Sequence, residues 1–85
     1  MFSAEFGSDA RKFLKKAEKE VARRILEKIE KLKIEPFPSG VKRVVGKRDK
    51  IFRVRVGDYR ITYTVIYEQN LILITDIDKR SKIYD

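Results

Sequence analysis

Three arginines stand close together around one turn of the chain. Arg53 and Arg55 precede Gly57-Asp58, and Arg60 follows it. A guanidinium stays charged at neutral pH, and its planar fork of N–H donors matches the oxygens of a phosphate. Arg53 and Arg55 are two residues apart, so on a β-strand they point to the same side. This pattern favours a site that binds phosphates or stabilises negative charge.

The turn predicts how the two flanking strands pair. Gly-Asp is a favoured two-residue hairpin loop, and alternating apolar residues lie on both sides of it. Counting outward places Arg55 opposite Arg60, and Arg53 opposite Thr62. The three arginines then share one sheet face. The other face, which we expect the helices to cover, carries the apolar set Phe52, Val54, Val56, Tyr59, Ile61 and Tyr63.

A further arginine and a tyrosine are expected to join the arginines. The last strand runs antiparallel to its neighbour, so its end near Asp78 returns beside Arg60. Arg80 comes directly after that strand, and Tyr84 lies just beyond it. Tyr84 could stack on an unpaired base or transfer a proton. Spacing alone therefore assembles a candidate site of Arg53, Arg55, Arg60, Arg80 and Tyr84.

The same face could instead be an ordinary solvated surface. Three acidic residues lie near enough to neutralise the arginines: Asp58, Asp76 and Asp78. Like charges directly opposite each other destabilise a strand pair, and this clustering favours a polyanion site. Asp76 and Asp78 could also hold a divalent cation. With no third ligand in view, pairing with Arg or Lys is the better interpretation of these two acids.

The composition limits the chemistry that is available. The 85-residue chain has 21 Lys and Arg against 13 Asp and Glu, a net charge of +8, and no Cys or His. Disulfides, thiolate nucleophiles, imidazole bases and a Ser–His triad are therefore excluded, and we expect no metal or cofactor. The longest apolar run, Leu71 to Ile74, is too short to cross a membrane. A cysteine-free chain fits a reducing interior, so we expect a cytoplasmic protein.

The basic excess is local. Residues 9–35 mix ten basic with six acidic side chains, which is typical of a solvated helix surface. Two pairs in that stretch have the i,i+4 spacing of helical ion pairs: Glu20 with Arg24, and Glu27 with Lys31. Residues 42–60 differ, because eight basic residues there face only two acids. We therefore expect a polyanion as partner, nucleic acid before a membrane surface.

The remaining sequence predicts the elements that position this face. Alternation over 2–6 predicts a short strand, and Ser8 or Asp9 is a candidate helix N-cap. Apolar residues then recur at three- and four-residue steps. A single helix over 9–33 would be about 37 Å long, longer than the roughly 31 Å diameter of a compact domain, so we expect a break within 15–19. Four strand segments follow: Val41 to Val45, Ile51 to Val56, Tyr59 to Tyr67 and Leu71 to Ile77.

These elements predict one α+β domain over 1–85. An N-terminal strand is followed by a two-helix hairpin, and then by three to four antiparallel strands that form one sheet with the helices on one face. Turns are expected at Gly46 to Lys50, at Gly57-Asp58 and at Glu68 to Asn70. We interpret Tyr59 and Tyr63, which fall on the apolar face, as structural residues.

The chain resembles the RelE/ParE toxin superfamily of toxin–antitoxin modules, and within it the RelE branch. The resemblance rests on the run FRVRVGDYRITY at 52–63, on Pro36-Phe37-Pro38 before it, and on Lys79-Arg80 and Tyr84 after it. It covers nearly the whole chain. It implies a ribosome-dependent endoribonuclease that cleaves mRNA in the ribosomal A site. A cognate RelB-like antitoxin would inhibit it in a hetero-oligomer, which could be a heterotetramer.

The resemblance also implies roles for the residues that spacing had grouped. The family's basic strand residues match Arg53 and Arg55, and its arginine after the hairpin matches Arg60. Its C-terminal arginine and tyrosine match Arg80 and Tyr84. Cleavage would proceed by attack of the ribose 2′-OH without a metal, with arginines stabilising the transition state and Tyr84 transferring a proton. Further RNA contacts are expected from four lysines: Lys47, Lys50, Lys79 and Lys82.

The chain departs from the family pattern in two respects. Well-known relatives have lysines in place of Arg53 and Arg55, and one of those lysines is assigned as general base. An arginine, with a pKa above about 12, cannot take that role. The base could be Lys50, Lys79 or a ribosomal group. The interval from Arg80 to Tyr84 is also shorter than in some relatives.

Two functions other than mRNA cleavage are compatible with the same sequence. The chain could be a ParE-like inhibitor of DNA gyrase that cuts nothing. It could also be a catalytically degenerate module that retains only antitoxin binding. In each case an acidic or amphipathic antitoxin segment is the expected partner of the basic sheet face.

Overall fold

The chain follows the predicted order of a strand, two helices and a run of strands. The structure is a computed structural model, and it describes residues 1–44 and 50–79. The elements are β1 (Ser3–Phe6), α1 (Ser8–Lys16), α2 (Lys19–Ile34), β2 (Lys42–Arg43), β3 (Ile51–Val56), β4 (Tyr59–Ile66), a 3₁₀ turn (Tyr67–Gln69) and β5 (Leu71–Lys79). Within these ranges no helix is long and apolar enough to span a membrane.

The strands form one five-stranded sheet in the order β1-β5-β4-β3-β2. β2, β3, β4 and β5 pair antiparallel, as predicted. β1 was not assigned a partner from the sequence, and it pairs parallel with β5 at one edge. The α+β prediction is confirmed, with a mixed rather than a purely antiparallel sheet. No turn links β1 to β5, so no local sequence signal could reveal their pairing.

The predicted break between the helices is confirmed. α1 ends at Lys16 and α2 begins at Lys19, and Ala17 and Glu18 between them have extended backbones with ψ of 150° and 151°. Each helix can then lay its own apolar stripe on the sheet. Ala10 of α1 is fully buried, as is Ile25 of α2.

The predicted cap of α1 is wrong. The N-cap is Gly7, and neither Ser8 nor Asp9 takes that position. The Gly7 N–H donates to the Ile74 carbonyl at 2.8 Å, so Gly7 still belongs to the edge of the sheet when the helix begins. Ser8 is therefore already helical. Asp9 lies in the first turn, where its carboxylate interacts favourably with the helix dipole.

On the outer surface of α2, both predicted ion pairs are wrong. Arg23 takes the two carboxylates that the sequence had assigned elsewhere. Its Nε and Nη2 donate to Glu20 at 3.1 and 2.5 Å, and its Nη1 donates to Glu27 at 2.6 Å. The hydrogen bond to Glu20 raises the pKa of Arg23, and the same hydrogen bond lowers the pKa of Glu20. One guanidinium has donors for two carboxylates, so i,i+3 and i,i+4 partners converge on Arg23.

The bounds of four strands differ from the prediction, and β1 begins at Ser3, one residue later than predicted. β5 continues to Lys79, two residues beyond the predicted end. β4 ends at Ile66, because Tyr67 enters the 3₁₀ turn, which closes at Asn70 in a left-handed conformation with φ 55°. β2 is only two residues long. Val45 and the predicted turn up to Asp49 lie outside the described residues.

The core lies between the helices and one face of the sheet. Its buried members come from both helices and the three central strands: Ala10, Ile25, Ile29, Leu32, Val54, Ile61, Tyr63, Ile72, Ile74 and Ile77. The predicted apolar face of the hairpin is confirmed, because Val54, Ile61 and Tyr63 are at most 3% exposed and the rest of that set packs against them. The opposite face of the sheet carries the arginines near the hairpin, and Ile51, Thr64 and Leu73 at its other end.

Tyr63 anchors the segment that follows α2. Its hydroxyl donates to the Pro36 carbonyl at 2.6 Å, and its ring lies tilted against Phe52 with centroids 6.0 Å apart. Burial of the phenol raises the pKa of Tyr63 to about 12. The prediction of a structural role for Tyr63 therefore has a specific basis, since the side chain fastens the proline segment to β4.

Tyr63→Phe is expected to lower the free energy of unfolding by about 1 kcal/mol at neutral pH, the usual net value of one hydrogen bond. The raised pKa adds a pH dependence. Above pH 10 the unfolded tyrosine ionises while the folded one does not, so this stabilisation is lost as the pH rises towards 12. Urea unfolding of both proteins from pH 8 to 12 should show the advantage of the wild type shrink and then reverse, because a pKa rise of two units corresponds to about 2.7 kcal/mol. A constant difference across that range would contradict the assignment.

Candidate functional site

The hairpin between β3 and β4 has the predicted register. Arg55 lies opposite Arg60, and Arg53 lies opposite Thr62. Gly57 has a φ of 59°, a left-handed conformation that glycine adopts without steric cost. The two-residue loop therefore forms with no shift between the strands. Every pair that the sequence predicted across this hairpin is observed.

The open sheet face carries a cluster of positive charge near the hairpin. We call Arg53, Arg55 and Arg60, together with Lys42, the arginine face. Lys42 joins because it lies opposite Arg53 across the β2–β3 pair, and directly opposite residues share a face. Lys42 was not predicted from the sequence, because the segment between β2 and β3 is too long for a standard turn to fix the register. Alternation within β2 was the only available signal.

Arg60 is largely enclosed on this face. Its side chain is 12% exposed, and its Nε lies 3.5 Å from Oδ1 of Asp78 on β5. Asp78 is directly opposite Arg60 in the strand pair, so the antiparallel return predicted for β5 is confirmed. Of the three acids that could neutralise the arginines in an ordinary solvated surface, Asp78 does pair with one of them. A carboxylate at Nε also restricts the orientation of the guanidinium.

Arg55 has a different environment. Its side chain is exposed, and within 1–44 and 50–79 it makes no ion pair. Arg53, one row further from the turn, is half-buried. Arg55 and Arg60 therefore present two guanidiniums from adjacent strands, of which one is enclosed and one is open to solvent. Such a pair can grip an anion from two sides.

A β-bulge in β5 brings acidic residues to the arginine face. Thr62 lies opposite Asp76 but Tyr63 lies opposite Ile74, so Thr75 is an extra residue, and its hydroxyl donates to the Thr62 carbonyl at 3.1 Å. The extra residue moves Ile77 into the core, where it is 2% exposed. The sequence contains this signal, because the buried isoleucines are spaced by two and then by three.

Asp76 lies at the margin of the face, opposite Thr62. Its Oδ1 accepts the Ile77 N–H at 2.9 Å. Burial, followed by the nearby Asp78 carboxylate, raises the pKa of Asp76. Among the described residues no three acidic side chains cluster in a way that could hold a metal ion. Asp78 thus borders the arginine face on the β5 side, and Asp76 also lines the groove between the sheet and α1.

Of the four lysines predicted to bind RNA, the two that the structure describes, Lys50 and Lys79, lie on different parts of the sheet. Lys79 is opposite Tyr59, on the helix side of the sheet, where it lines a groove with Phe13 and Val21. Lys50 is exposed at the start of β3, and its carbonyl accepts the Thr64 hydroxyl at 2.8 Å. The other predicted site residues lie outside the described residues: Lys47, Arg80, Lys82 and Tyr84.

Comparison with known proteins identifies the family of this fold and face. The chain matches, over residues 4–84, the family model described as the ParE toxin of type II toxin–antitoxin systems. The chain belongs to the ParE/RelE toxin family. The match takes in the whole hairpin and nearly all of the chain, so the resemblance stated from the sequence is confirmed.

Individual relatives carry RelE names. A protein of Methanocaldococcus jannaschii named "Putative toxin RelE1" is 33% identical over 86 aligned residues, which cover 98% of this chain and 94% of that protein. The archaeal RelE–RelB complex of Pyrococcus horikoshii contains a chain that is 29% identical, with a TM-score of 0.81 and coverage of 96% of this chain and 98% of that one.

The isolated RelE toxin of Escherichia coli has the same fold at lower sequence identity. It is 19% identical, with a TM-score of 0.82, and the match covers 98% of this chain and 88% of that one. At this identity the likeness supports the architecture alone. Two helices on a five-stranded mixed sheet are therefore shared across distant members of the family.

Proposed function

We propose that this protein is the toxin of a RelBE-type module, and that it cleaves mRNA in the ribosomal A site. The observation that carries the proposal is the direct pairing of Arg55 with Arg60 across the hairpin. Opposed like charges weaken a strand pair, so their retention indicates an anionic occupant. An RNA phosphate fits, because two guanidinium forks can bind its oxygens together. The RelE names of the relatives support the role of toxin.

The reaction follows from the chemistry of RNA. The 2′-oxygen attacks the neighbouring phosphorus, and the bond from phosphorus to the 5′-oxygen breaks, which leaves a 2′,3′-cyclic phosphate and a 5′-hydroxyl. Negative charge grows on the phosphate oxygens in the transition state, where Arg55 and Arg60 stabilise it. Asp78, 3.5 Å from the Nε of Arg60, acts as a positioning residue.

Two proton transfers complete the reaction. A base removes the 2′-hydroxyl proton, and an acid protonates the leaving 5′-oxygen. We assign the second role to Tyr84, following the family resemblance, with Arg80 as a further source of positive charge. Lys50 or a ribosomal group supplies the base. Lys79 is a poorer candidate, since it lies opposite Tyr59 on the helix side of the sheet.

The arginine face also supplies a surface for an antitoxin. The related structure from Pyrococcus horikoshii is a RelE–RelB complex. We propose that a RelB-like segment with acidic side chains covers Arg55 and its neighbours and so competes with RNA for the same guanidiniums. Inhibition would then need no conformational change in the toxin.

Ribosomes stalled with an empty A site provide the test. Purified protein should cut the mRNA within the A-site codon, and addition of the cognate antitoxin should stop the cutting. The family model carries the ParE name, which favours a parallel assay of DNA gyrase. Intact mRNA with blocked supercoiling would replace this proposal by gyrase inhibition. Intact mRNA with normal supercoiling would leave a module that only binds its antitoxin.

A further inference from the structure

Arg24 of α2 lies against the tip of the hairpin that carries the arginine face. A Cβ atom at Gly57 would lie 2.7 Å from Nη2 of Arg24, 3.4 Å from its Cζ and 3.5 Å from its Nη1. All three are atoms of the guanidinium, so this group rests on the backbone of the turn. The absence of a side chain at Gly57 therefore leaves room for the guanidinium of Arg24.

The position of Arg24 extends the positive charge around the end of the sheet. Arg55 and Arg60 each lie within three residues of Gly57, about 7 to 10 Å along a strand. They project from the open face, whereas Arg24 approaches the turn from the helix side. The hairpin tip is therefore flanked by guanidiniums from both faces.

Among the described residues, no acidic group pairs with Arg24. Glu20, its expected i,i+4 partner, directs both carboxylate oxygens to Arg23 instead. Across the two described ranges, Arg24 has neither an ion pair nor a side-chain hydrogen bond, and its side chain is exposed. Its N–H donors are thus available to an external anion.

Two lysines continue the same line along α2. Lys28 and Lys31 follow Arg24 at i+4 and i+7, so the three side chains share one flank of the helix. Glu27, the expected partner of Lys31, is bound by Arg23. Lys28 and Lys31 border a shallow recess beside Pro38. We call Arg24, Lys28 and Lys31 the α2 ridge. In the part of the chain that the structure describes, none of its members is in an ion pair.

We propose that the α2 ridge binds the sugar–phosphate backbone of RNA outside the scissile nucleotide, with Arg24 as its principal residue. The inference rests on the proposed function, because it extends the RNA path from the arginine face across the hairpin tip. Arg24 is a binding residue and takes no part in bond breaking. Seating on Gly57 holds its guanidinium in place before RNA arrives, which lowers the entropy cost of binding.

Arg24→Gln tests the ridge against a matched control, Arg23→Gln. The two residues are neighbours on one helix and lose the same charge, but Arg23 is already bound by Glu20 and Glu27. The probe is a labelled single-stranded oligonucleotide with 2′-O-methyl groups, which the toxin cannot cut. Arg24→Gln should weaken binding about 5- to 10-fold, and flatten the plot of log affinity against log salt by about 0.7, the loss of one phosphate contact. Arg23→Gln should bind within about twofold of wild type.

A purely structural role for Arg24 predicts a different outcome. It would lower the thermal midpoint of Arg24→Gln and leave the salt slope unchanged. Arg24→Lys separates the two roles further, because it keeps the charge but not the planar fork, and it should retain the wild-type salt slope with intermediate affinity. Equal losses in Arg23→Gln and Arg24→Gln would overturn the inference, as would wild-type affinity in Arg24→Gln or no binding by wild type.

The same variants separate this inference from the proposed function. In the ribosome assay Arg24→Gln should raise the half-saturating toxin concentration and leave the single-turnover rate at saturation unchanged. A wild type that binds the oligonucleotide through Arg24 but cuts no mRNA would overturn the proposed function alone. If Arg24→Gln weakened only the binding of an acidic antitoxin peptide, the ridge would be a protein interface and the RNA inference would be wrong.

Discussion

Arg60→Ala is expected to slow cleavage of A-site mRNA about 10²- to 10³-fold at saturating toxin, the usual cost of removing one donor to a developing negative charge. The side chain of Arg60 is largely enclosed, with 12% of it exposed. A charge that is held in place and shielded from water stabilises a transition state more strongly than a mobile one. The measurement is a single-turnover rate on programmed ribosomes.

Arg43→Ala is the matched control for that experiment. Arg43 lies in the same sheet, but it is opposite Phe52 and therefore on the helix side. Its loss removes the same charge from the protein and should change the rate at saturation less than about threefold. If both variants lost activity equally, net charge rather than the arginine face would govern cleavage. An active Arg60→Ala would remove Arg60 from the mechanism.

Ile77→Asp is expected to prevent folding, with a loss of about 4 kcal/mol or more in the free energy of unfolding. The bulge at Thr75 places Ile77 opposite Ile61 in the core, where an aspartate would have no counter-charge. Regular alternation from Ile72 and Ile74 would instead place residue 77 on the open face, and the same change would then be tolerated. Circular dichroism and urea unfolding distinguish the two arrangements.

Thr75→Asp controls for the introduction of an acid into β5. Thr75 is half-buried at the bulge, and its one side-chain hydrogen bond among the described residues goes to the Thr62 carbonyl. The change should cost about 2 kcal/mol, because the bond is lost and the new carboxylate is repelled by the Thr62 carbonyl and by Asp76, but this is still less than the burial of a charge at residue 77. A folded Ile77→Asp, or an unfolded Thr75→Asp, would show that the bulge is misplaced. The alignment of Asp78 with Arg60 would then be wrong as well.

The sequence predicted most accurately what is decided locally. The register of β3 with β4 follows from a two-residue loop that contains Gly57, because such a loop leaves no freedom to slide. The helix break after Lys16 follows from length, since one straight helix would overhang the sheet. In both cases a short stretch of chain contains all the information that the prediction needs.

Predictions failed where distant or competing contacts decide the outcome. The pairing of β1 with β5 joins the two ends of the described chain, and no spacing rule reaches that far. The position of Lys42 beside Arg53 depends on a long connection for the same reason. On α2 the i,i+4 spacing allowed the predicted pairs, but Arg23 binds both Glu20 and Glu27, which leaves Arg24 without an ion pair among the described residues.

The most direct measurement of the proposed activity replaces one 2′-hydroxyl of the mRNA. Two messages are placed on ribosomes with an empty A site, identical except that one has a 2′-deoxynucleotide at the scissile position. We expect wild-type protein to cut the all-ribose message, leaving a 2′,3′-cyclic phosphate and a 5′-hydroxyl, and to leave the deoxy message intact. Cleavage of both messages would contradict attack by the 2′-oxygen, and cleavage of neither would contradict the assignment of this protein as an mRNA endonuclease.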